Sequence, residues 1–176
     1  MGSRPGDGSA RITDMAKLIT TAAERFQILS DYKRIAVVGL SANAFRPSHF
    51  AAIYMIAEGY DIIPVNPRET EILGRKCYPS LLKLAEARPN SVDIVDVFRN
   101  PADVPPLVDE AIAIGARVLW LQLGVINEAA AERAIAGGLD VVMDRCVKIE
   151  HARFFGGLNL IGLNTGVISA RRLKKS

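Results

Sequence analysis

The sequence predicts an α/β fold, in which helices cover both faces of one doubly wound, parallel sheet. Five apolar runs of strand length alternate with segments of helical character along the chain. These runs are rich in β-branched residues, which is typical of strands buried on both faces, and 176 residues suit a single domain. Because crossovers between parallel strands are right-handed, we expect the strand order 3-2-1-4-5 and a ligand site where that order reverses.

The first half of the chain contains an additional helix followed by two strands and the helix between them. Thr13 or Asp14 is a suitable cap for the first helix. Pro47 suits the first turn of the second helix, and Gly59 its end. Pro64 argues against a central position for the second strand, because proline cannot donate a backbone hydrogen bond. The predicted elements are, in order, a helix (15–29), a strand (34–40), a helix (47–58) and a strand (60–66).

The second half continues the alternation of helices and strands. Gly115 ends one helix, Asn127 is a plausible cap for the next, and Gly137 and Gly138 end that one. The predicted elements are, in order, a short helix (81–87), a strand (91–98), a helix (102–114), a strand (117–123), a helix (127–136), a strand (139–144) and a last helical turn (150–155).

Composition and charge exclude several classes of protein. Hydrophobic residues make up 49% of the chain and charged residues 23%, which excludes disorder of the whole chain. The formal net charge of +3 suggests a polyanionic partner, but residues 171–176 alone carry four positive charges and residues 15–170 a net charge of −1. The basic character therefore belongs to a short tail, and we do not expect a nucleic-acid surface.

The chain is predicted to contain one domain between two tails. We expect a flexible tail over residues 1–12, a domain over 13–170 with its core at 34–151, and a basic tail over 171–176. Cys77 and Cys146 are too few for a disulfide framework, and neither a signal peptide nor a membrane-spanning stretch is recognisable. We therefore expect a cytoplasmic protein that makes no contact with a membrane.

The turn after the first strand has the features of a phosphate site. Gly39 lets the backbone approach a phosphate, and the following helix presents free N–H groups and the positive end of its dipole. Ser41, Asn43 and Ser48 offer hydrogen bonds, and Arg46 offers positive charge. These properties suit a pyrophosphate; a simple strand-to-helix turn is the alternative.

The second strand ends in Val65 and Asn66 and is followed by Pro67 and Arg68, and Arg68 narrows the choice of nucleotide. An NAD site would place an acidic residue there, whereas Arg68 favours an additional phosphate on the ribose. NADP and a nucleotide with a 3′-phosphate, such as coenzyme A, both fit. The dinucleotide fingerprint G-x-G-x-x-G is not present, since Ser41 and Ala44 occupy its second and third glycine positions.

Other candidate sites have less support. The first turn lacks the second glycine of a hydrolase nucleophile elbow, and it lacks the acidic residues of a flavodoxin-like signalling domain. Asp93 and Asp96 lie three residues apart on a strand, so they face opposite sides and do not form a paired acid–base site. Neither a metal-ligand spacing nor a catalytic constellation is recognisable.

Cys146 follows the fifth strand at the expected ligand edge. Its thiol could contact a second thiol and form a mixed disulfide, and Arg145 and Lys148 are close enough in sequence to lower its pKa. An inert, half-buried cysteine is the simpler interpretation.

An ordered set of motifs resembles the small stand-alone CoA-binding proteins, whose Rossmann-like domain also forms the CoA-binding part of succinyl-CoA synthetase. Together the motifs span residues 34–151, most of the predicted fold. The matching segments are 37–43, 46–49, 59–60, 63–67, 74–78, 92–99, 118–124 and 142–151.

The resemblance implies a CoA site at the carboxyl edge of the sheet. Gly39, Ser41, Asn43, Arg46 and Ser48 would hold the pyrophosphate. The adenosine and its 3′-phosphate would lie on the end of the second strand, at Val65, Asn66, Pro67 and Arg68. Contacts at the third and fourth strand ends, the latter toward the pantetheine arm, would come from Phe98, Arg99, Gln122 and Leu123.

The function that follows is binding of CoA or acyl-CoA by a non-catalytic or accessory protein. Synthetase activity is not implied, because the larger enzyme has further domains and a phosphohistidine. An NADP-dependent oxidoreductase is the alternative, and the oligomeric state is left open.

Overall fold

A five-stranded parallel sheet lies between two layers of helices in the computed structural model, which describes residues 15–156. The predicted α/β class, a Rossmann-like single domain, is confirmed. The helices are α1 (Ala22–Asp31), α2 (Pro47–Ala57), α3 (Leu81–Ala87), α4 (Val104–Ala113), α5 (Glu128–Ala136) and α6 (Val147–Phe155), and a 3-10 turn (Pro101–Asp103) precedes α4. The strands are β1 (Arg34–Val38), β2 (Asp61–Val65), β3 (Glu71–Ile72), β4 (Arg75–Lys76), β5 (Ile94–Val97), β6 (Val118–Leu121) and β7 (Asp140–Val142).

The strand order differs from the prediction. The sheet has the order β2-β1-β5-β6-β7, which is 2-1-3-4-5 in the numbering of the five predicted strands, so the predicted 3-2-1-4-5 is wrong. Pro64 gives the physical reason: proline cannot donate a backbone hydrogen bond, so its strand, β2, cannot form complete ladders on both sides and lies at the edge of the main sheet. Strand β1 pairs on its other side with β5, Ile35 lying opposite Ile94. The order therefore reverses between β1 and β5, where open α/β sheets bind their ligands.

Each face of the sheet packs against three helices. Helices α3, α4 and α5 cover one face with residues such as Leu84 and Val108. Helices α1, α2 and α6 cover the other, where Leu29 and Met55 meet a fully buried Trp120. Burial on both faces explains why the strands are nearly continuous apolar runs.

The chain before α1 is extended and pairs with the outer strand β7. The amide of Ile19 donates to the carbonyl of Val141 (2.8 Å), and Leu18 bridges to the same residue. The helix begins after Thr21, whose side chain and that of Glu24 form a reciprocal capping box. A helix over 15–29 capped at Thr13 or Asp14 was therefore the wrong expectation; this pairing and the capping box move its start.

A short hairpin, β3–β4, closes the opposite side of the sheet and was not predicted. Its turn residues Leu73 and Gly74 both have positive φ, 53° and 69°. The residues that follow the hairpin reach the outer strand β2, where Tyr78 bridges to Val65 and donates its amide to Pro64 (3.0 Å). Both outer strands of the main sheet therefore have a second, short partner.

Helix α6 is longer than the single turn predicted over 150–155, and a buried ion cluster joins it to α1. Glu150 is fully buried and accepts from Arg25 Nε (2.8 Å) and from Arg153 Nη1 (3.2 Å). No helix within residues 15–156 has the length and apolar character that crossing a bilayer requires. The predicted tails, 1–12 and 171–176, lie outside the described residues, as do residues 13–14 and 157–170 of the predicted domain.

Candidate functional site

The end of β1 approaches the end of β5 so closely that only glycine fits. Gly39 has a φ of +84°, and a Cβ atom at this position would lie 2.3 Å from the carbonyl oxygen of Phe98. Its amide donates to Val65 (2.9 Å), which anchors the same residue to β2. Gly39 therefore holds three strand ends together where the strand order reverses.

The β1–α2 loop, residues 40–46, is shaped by its own polar side chains. The amide of Ser41 donates to the hydroxyl of buried Ser48 (3.1 Å), and the carbonyl of Ser41 accepts from His49 Nδ1 (2.8 Å). The amide of Asn43 donates to Ser41 Oγ (3.1 Å), and Asn43 Oδ1 accepts from the amide of Phe45 (2.9 Å). These bonds fix the loop in front of the first turn of α2.

A cavity of about 1010 Å³ opens at the carboxyl edge of the sheet, beside this loop. The ends of β1, β5 and β6 and the first turns of α2 and α6 form its walls, so it lies at the reversal of strand order. It is lined by Gly39, Ser41, Phe45, Arg46, Pro47, Ser48, Phe50, Ala51, Phe98, Arg99, Asn100, Asp103, Gln122, Leu123, Val125, Cys146, Lys148 and Ile149.

The cavity wall is electropositive. Arg46, Arg99 and Lys148 line it, and Asp103 is the single carboxylate in the lining. Helices α2 and α6 both begin at this cavity, and neither has a side-chain cap on its first-turn N–H groups. Two positive helix ends and three cationic side chains therefore face one space, an arrangement that suits an anion with several phosphate oxygens.

The turn that leads into α6 is held in place by neighbouring strand ends. Trp120 Nε1 donates to the carbonyl of Arg145 (2.8 Å), and the amide of Gly124 donates to Asp144 Oδ1 (2.8 Å). Asp144 itself has a φ of 59°. These contacts fix Cys146, the residue before α6, in the cavity wall.

Cys146 has a thiol that resists ionisation. Burial raises its pKa above the usual value, while the backbone N–H groups of Ile149 and Lys148 and the charge of Lys148 only partly oppose this. The net shift in pKa is therefore opposite to the lowering that Arg145 and Lys148 could cause. In this state the thiol is a weak nucleophile at neutral pH.

A buried carboxyl lies behind the cavity wall, next to Gln122. Asp96 is 1% exposed, and burial raises its pKa from 3.8 to about 7, which the hydrogen bond from Gln122 Nε2 partly opposes. Asp93, by contrast, pairs with Arg34 at the amino end of the sheet (2.6 Å). The two carboxyls therefore lie apart, as their spacing predicted.

The residues at the end of β2 lie beside the cavity but do not line it. Val65 is buried, whereas Pro67 and Arg68 are exposed. Asn66 joins this segment to the β1–α2 loop, because its Nδ2 donates to the carbonyl of Leu40 (3.0 Å) and its Oδ1 accepts from the amide of Arg68 (2.9 Å). The exposed Arg68 thus belongs to a rigid turn next to the loop.

A model of the CoA binding domain matches residues 33–152 of this chain. The chain belongs to the CoA binding domain family. The family that the sequence motifs indicated is thereby confirmed, and the matched residues nearly coincide with the span of those motifs, 34–151. Within residues 15–156, no three His, Cys, Asp or Glu side chains come together as metal ligands.

Several relatives of this CoA binding domain protein span nearly its whole folded part. It is 42% identical to the uncharacterized protein YneT of Bacillus subtilis (strain 168) over 130 residues, 74% of this chain and 93% of YneT. The solved structure of Prb, a PH1109 protein redesigned for binding, is 40% identical with a TM-score of 0.74, over 79% of this chain and 95% of Prb. A hypothetical protein from Pyrococcus horikoshii OT3 is 37% identical with a TM-score of 0.73, over 89% of this chain and 99% of that protein.

The cavity brings together nine of the site residues predicted from the sequence of this CoA binding domain protein. These are Gly39, Ser41, Arg46, Ser48, Phe98, Arg99, Gln122, Leu123 and Cys146. Asn43, Val65, Asn66, Pro67 and Arg68 lie outside the lining, although Asn43 belongs to the β1–α2 loop and Asn66 is hydrogen-bonded to it.

Sequence reasoning missed two groups of lining residues. Phe45 and Phe50 form an exposed apolar rim together with Leu123, which was predicted. Lys148 and Ile149 enter through the first turn of α6, which begins three residues before the predicted helical turn. The position of this segment directly after β7 was the available signal, because every helix that follows a parallel strand starts near the ligand edge.

Proposed function

We propose that this protein binds coenzyme A or an acyl-CoA in the cavity between β1 and β5. The observation that carries the proposal is the meeting of Arg46, Arg99 and Lys148 with the first turns of two helices in one cavity. Such a cavity favours a ligand with several phosphate oxygens, and membership of the CoA binding domain family supports CoA as that ligand.

In this proposal the pyrophosphate occupies the space in front of the β1–α2 loop. Gly39 and Ser41 offer backbone approach, and the first-turn N–H groups of α2 point into the same region. Ser48 has a positioning role, since its hydroxyl accepts from the amide of Ser41 and supports the loop from behind. Arg46, exposed at the start of α2, supplies positive charge to the phosphates.

The adenosine and its 3′-phosphate are proposed to lie over the end of β2. Arg68 is exposed there, and Asn66 holds its backbone close to the β1–α2 loop. The pantetheine arm would then extend toward Gln122 and Leu123, with Cys146 beside its thiol end. In this proposal Arg68 contacts the 3′-phosphate, so the protein binds CoA more tightly than dephospho-CoA, which lacks this group.

The protein is proposed to deliver, sense or shield its ligand in a cytoplasmic setting. Cys77 and Cys146 are both free thiols, which supports a reducing compartment. An NADP-dependent oxidoreductase is the competing function, because Arg68 would also suit a ribose 2′-phosphate. Ser41 and Ala44 in place of two fingerprint glycines count against that alternative.

Isothermal titration calorimetry with CoA, dephospho-CoA, NADP and NAD tests the proposal. We expect CoA to bind most tightly and dephospho-CoA more weakly. No CoA binding at millimolar ligand, or a preference for NADP, would overturn the proposed function.

Two arginine variants test the assignment of the phosphates. Arg46→Ala should weaken CoA and dephospho-CoA equally, by about 1.5–3 kcal/mol if the guanidinium bonds a phosphate. Arg68→Ala should weaken CoA alone and so abolish the difference between the two ligands. Arg117→Ala is the matched control, since Arg117 is exposed beside the amino end of β6, away from the cavity. Unchanged affinities in Arg46→Ala would remove that residue from the site.

A further inference from the structure

Two buried polar side chains face the helix layer that carries the start of α6. Asp96 in β5 is 1% exposed, and Gln122, directly after β6, is 4% exposed. Their sequence neighbours Val97 and Leu121 belong to the core on the other face, so alternation directs Asp96 and Gln122 toward α2 and α6. Gln122 lines the cavity and donates its Nε2 to Asp96 Oδ1. We call this pair the cavity floor.

Each member of the cavity floor keeps one oxygen without a protein donor. Among residues 15–156, no group donates a hydrogen bond to Oε1 of Gln122 or to Oδ2 of Asp96. Neither oxygen belongs to the fully enclosed side-chain atoms that have no partner, so each keeps some accessible surface. Gln122 lines the cavity and Asp96 lies directly behind it, so a donor for this pair can come from a ligand group that enters beside Gln122.

The surroundings determine what kind of donor fits. In the part of the chain that the structure describes, Asp96 forms no ion pair, and its carboxyl accepts a hydrogen bond from the amide of Gln122. An anionic group would therefore meet a carboxylate with nothing to neutralise it. A cationic ligand, in turn, would have to pass Arg46, Arg99 and Lys148 in the cavity wall. An uncharged donor on a ligand whose other end is anionic satisfies both conditions.

We propose that Asp96 and Gln122 form an acceptor subsite for an uncharged hydrogen-bond donor, an amide N–H or a thiol S–H, on the arm of the bound ligand. The subsite rests on the proposed function and deepens it, because the arm of CoA carries two amide N–H groups and a terminal thiol. Cys146 lines the same cavity as Gln122, so the arm would end beside the thiol of Cys146.

Fragments of the ligand separate the arm from the phosphates. Calorimetry on the full chain measures the affinity of CoA and that of adenosine 3′-phosphate 5′-diphosphate, which has the phosphates but no arm. The ratio of the CoA affinity to the fragment affinity gives the contribution of the arm to binding. In Asp96→Asn the oxygen Oδ1 can still accept from Gln122, while an NH2 group replaces the acceptor Oδ2, so the polarity of the subsite is inverted there.

We expect Asp96→Asn to reduce this ratio by roughly tenfold or more, the loss of a hydrogen bond to a carboxylate, and to leave binding of the fragment unchanged. Asp93→Asn is the matched control: it is the same substitution beside the same strand, at the end away from the cavity, and should leave both affinities unchanged. Acetyl-CoA identifies the donor, since it keeps the amides but has no S–H. An equal loss for CoA and acetyl-CoA indicates an amide, and a loss for CoA alone indicates the thiol.

The outcomes distinguish the subsite from the proposed function. If wild type binds CoA more tightly than the fragment and Asp96→Asn keeps that ratio, the subsite is wrong and the CoA function stands. If wild type binds neither ligand, both proposals are overturned. Circular dichroism establishes whether Asp96→Asn is folded. If it is not, Gln122→Met provides the same test, with the same expected loss of the ratio.

Discussion

Replacing Asp96 with asparagine should make the protein more stable at neutral and alkaline pH. The side chain is buried, and its ionisation in the folded state is opposed mainly by that burial. Asparagine has almost the same shape, its amide oxygen can accept the hydrogen bond from Gln122, and it has no charge to bury. The substitution therefore removes the cost of burying a charge while the packing against Trp120, which lies opposite in register on β6, is kept.

The magnitude follows from the shift in pKa. Asp96 titrates at 3.8 ordinarily and at about 7 in the folded protein. The folded state binds the proton of Asp96 more tightly than the unfolded state, so the contribution of this group to stability is fully present below pH 3.8 and is lost as the pH rises toward 7. Each pH unit in this window lowers the free energy of unfolding by about 1.4 kcal/mol, and the loss reaches about 4 kcal/mol before it levels off. Asp96→Asn has no such loss.

Urea unfolding at pH 5, 6, 7 and 8, followed by the fluorescence of the single tryptophan, measures the effect. The free energy of unfolding of Asp96→Asn minus that of wild type should increase with pH up to about 7, because titrations elsewhere cancel in the difference. Asp93→Asn is the control: burial of Asp93 opposes its ionisation, but hydrogen bonds from Arg34 outweigh this and lower its pKa, so its difference should not grow above pH 5. A flat difference for Asp96→Asn would refute the reasoning.

Three further predictions concern the loop, the helix cluster and the thiol. Gly39→Ala should lower the free energy of unfolding by about 3 kcal/mol or more, because position 39 has a positive φ and the new Cβ would clash with the backbone. Gly59 also has a positive φ, but no atom lies near the place of its Cβ, so Gly59→Ala should lower the free energy by about 1–2 kcal/mol in the same urea assay. Glu150→Gln should destabilise the protein by about 3–5 kcal/mol, because it leaves the buried Arg25 guanidinium beside a neutral group. The effect is measured by differential scanning calorimetry, and an unchanged Tm would contradict it. Cys146 should form a mixed disulfide with oxidised CoA only slowly at pH 7, and faster toward pH 9, because the raised pKa limits the thiolate; complete modification within seconds at pH 7, observed by intact mass, would be the contrary result.

Local structure could be predicted from the sequence where one residue decides it. The helix over 81–87 has the predicted bounds, and Asn127 caps α5 as expected, accepting from the amide of Ala130 (3.0 Å). Thr21 and Glu24 have the spacing of a capping box, but the sequence analysis did not use it to place the start of α1. The apolar periodicity continues upstream into residues that pair with β7, so the helix was predicted to begin too early. Periodicity alone does not separate a helix from a strand over so few residues.

The strand order could not be predicted in the same way. It depends on where each crossover returns the chain, and several arrangements bury the same apolar runs. Pro64 contained the decisive information, since a proline in β2 requires an edge. The hairpin at Leu73 could not be predicted from the sequence for a different reason. Leucine rarely adopts a positive φ, and strands of two residues are too short to show an apolar pattern.

The candidate site was predicted best where it depends on one loop. The residues around Gly39 follow directly from the turn after the first strand, and most of them line the cavity. Lys148 could not be assigned to that cavity without the start of α6. Asp96 was weighed only against Asp93, three residues away, whereas its hydrogen-bond partner is Gln122, which directly follows a different strand. Pairs of this kind become visible only when the register of β5 and β6 is known.

Both edge strands of the main sheet have a short additional partner, and this limits how copies of the protein can associate. Leu18 bridges to β7 at one edge, and Tyr78 bridges to β2 at the other, where Pro64 has no backbone N–H to donate. Open edges are the surfaces through which sheets join into larger sheets and fibrils. At the positions that these segments occupy, a second copy could extend the sheet only by displacing them, which favours association through helices or loops.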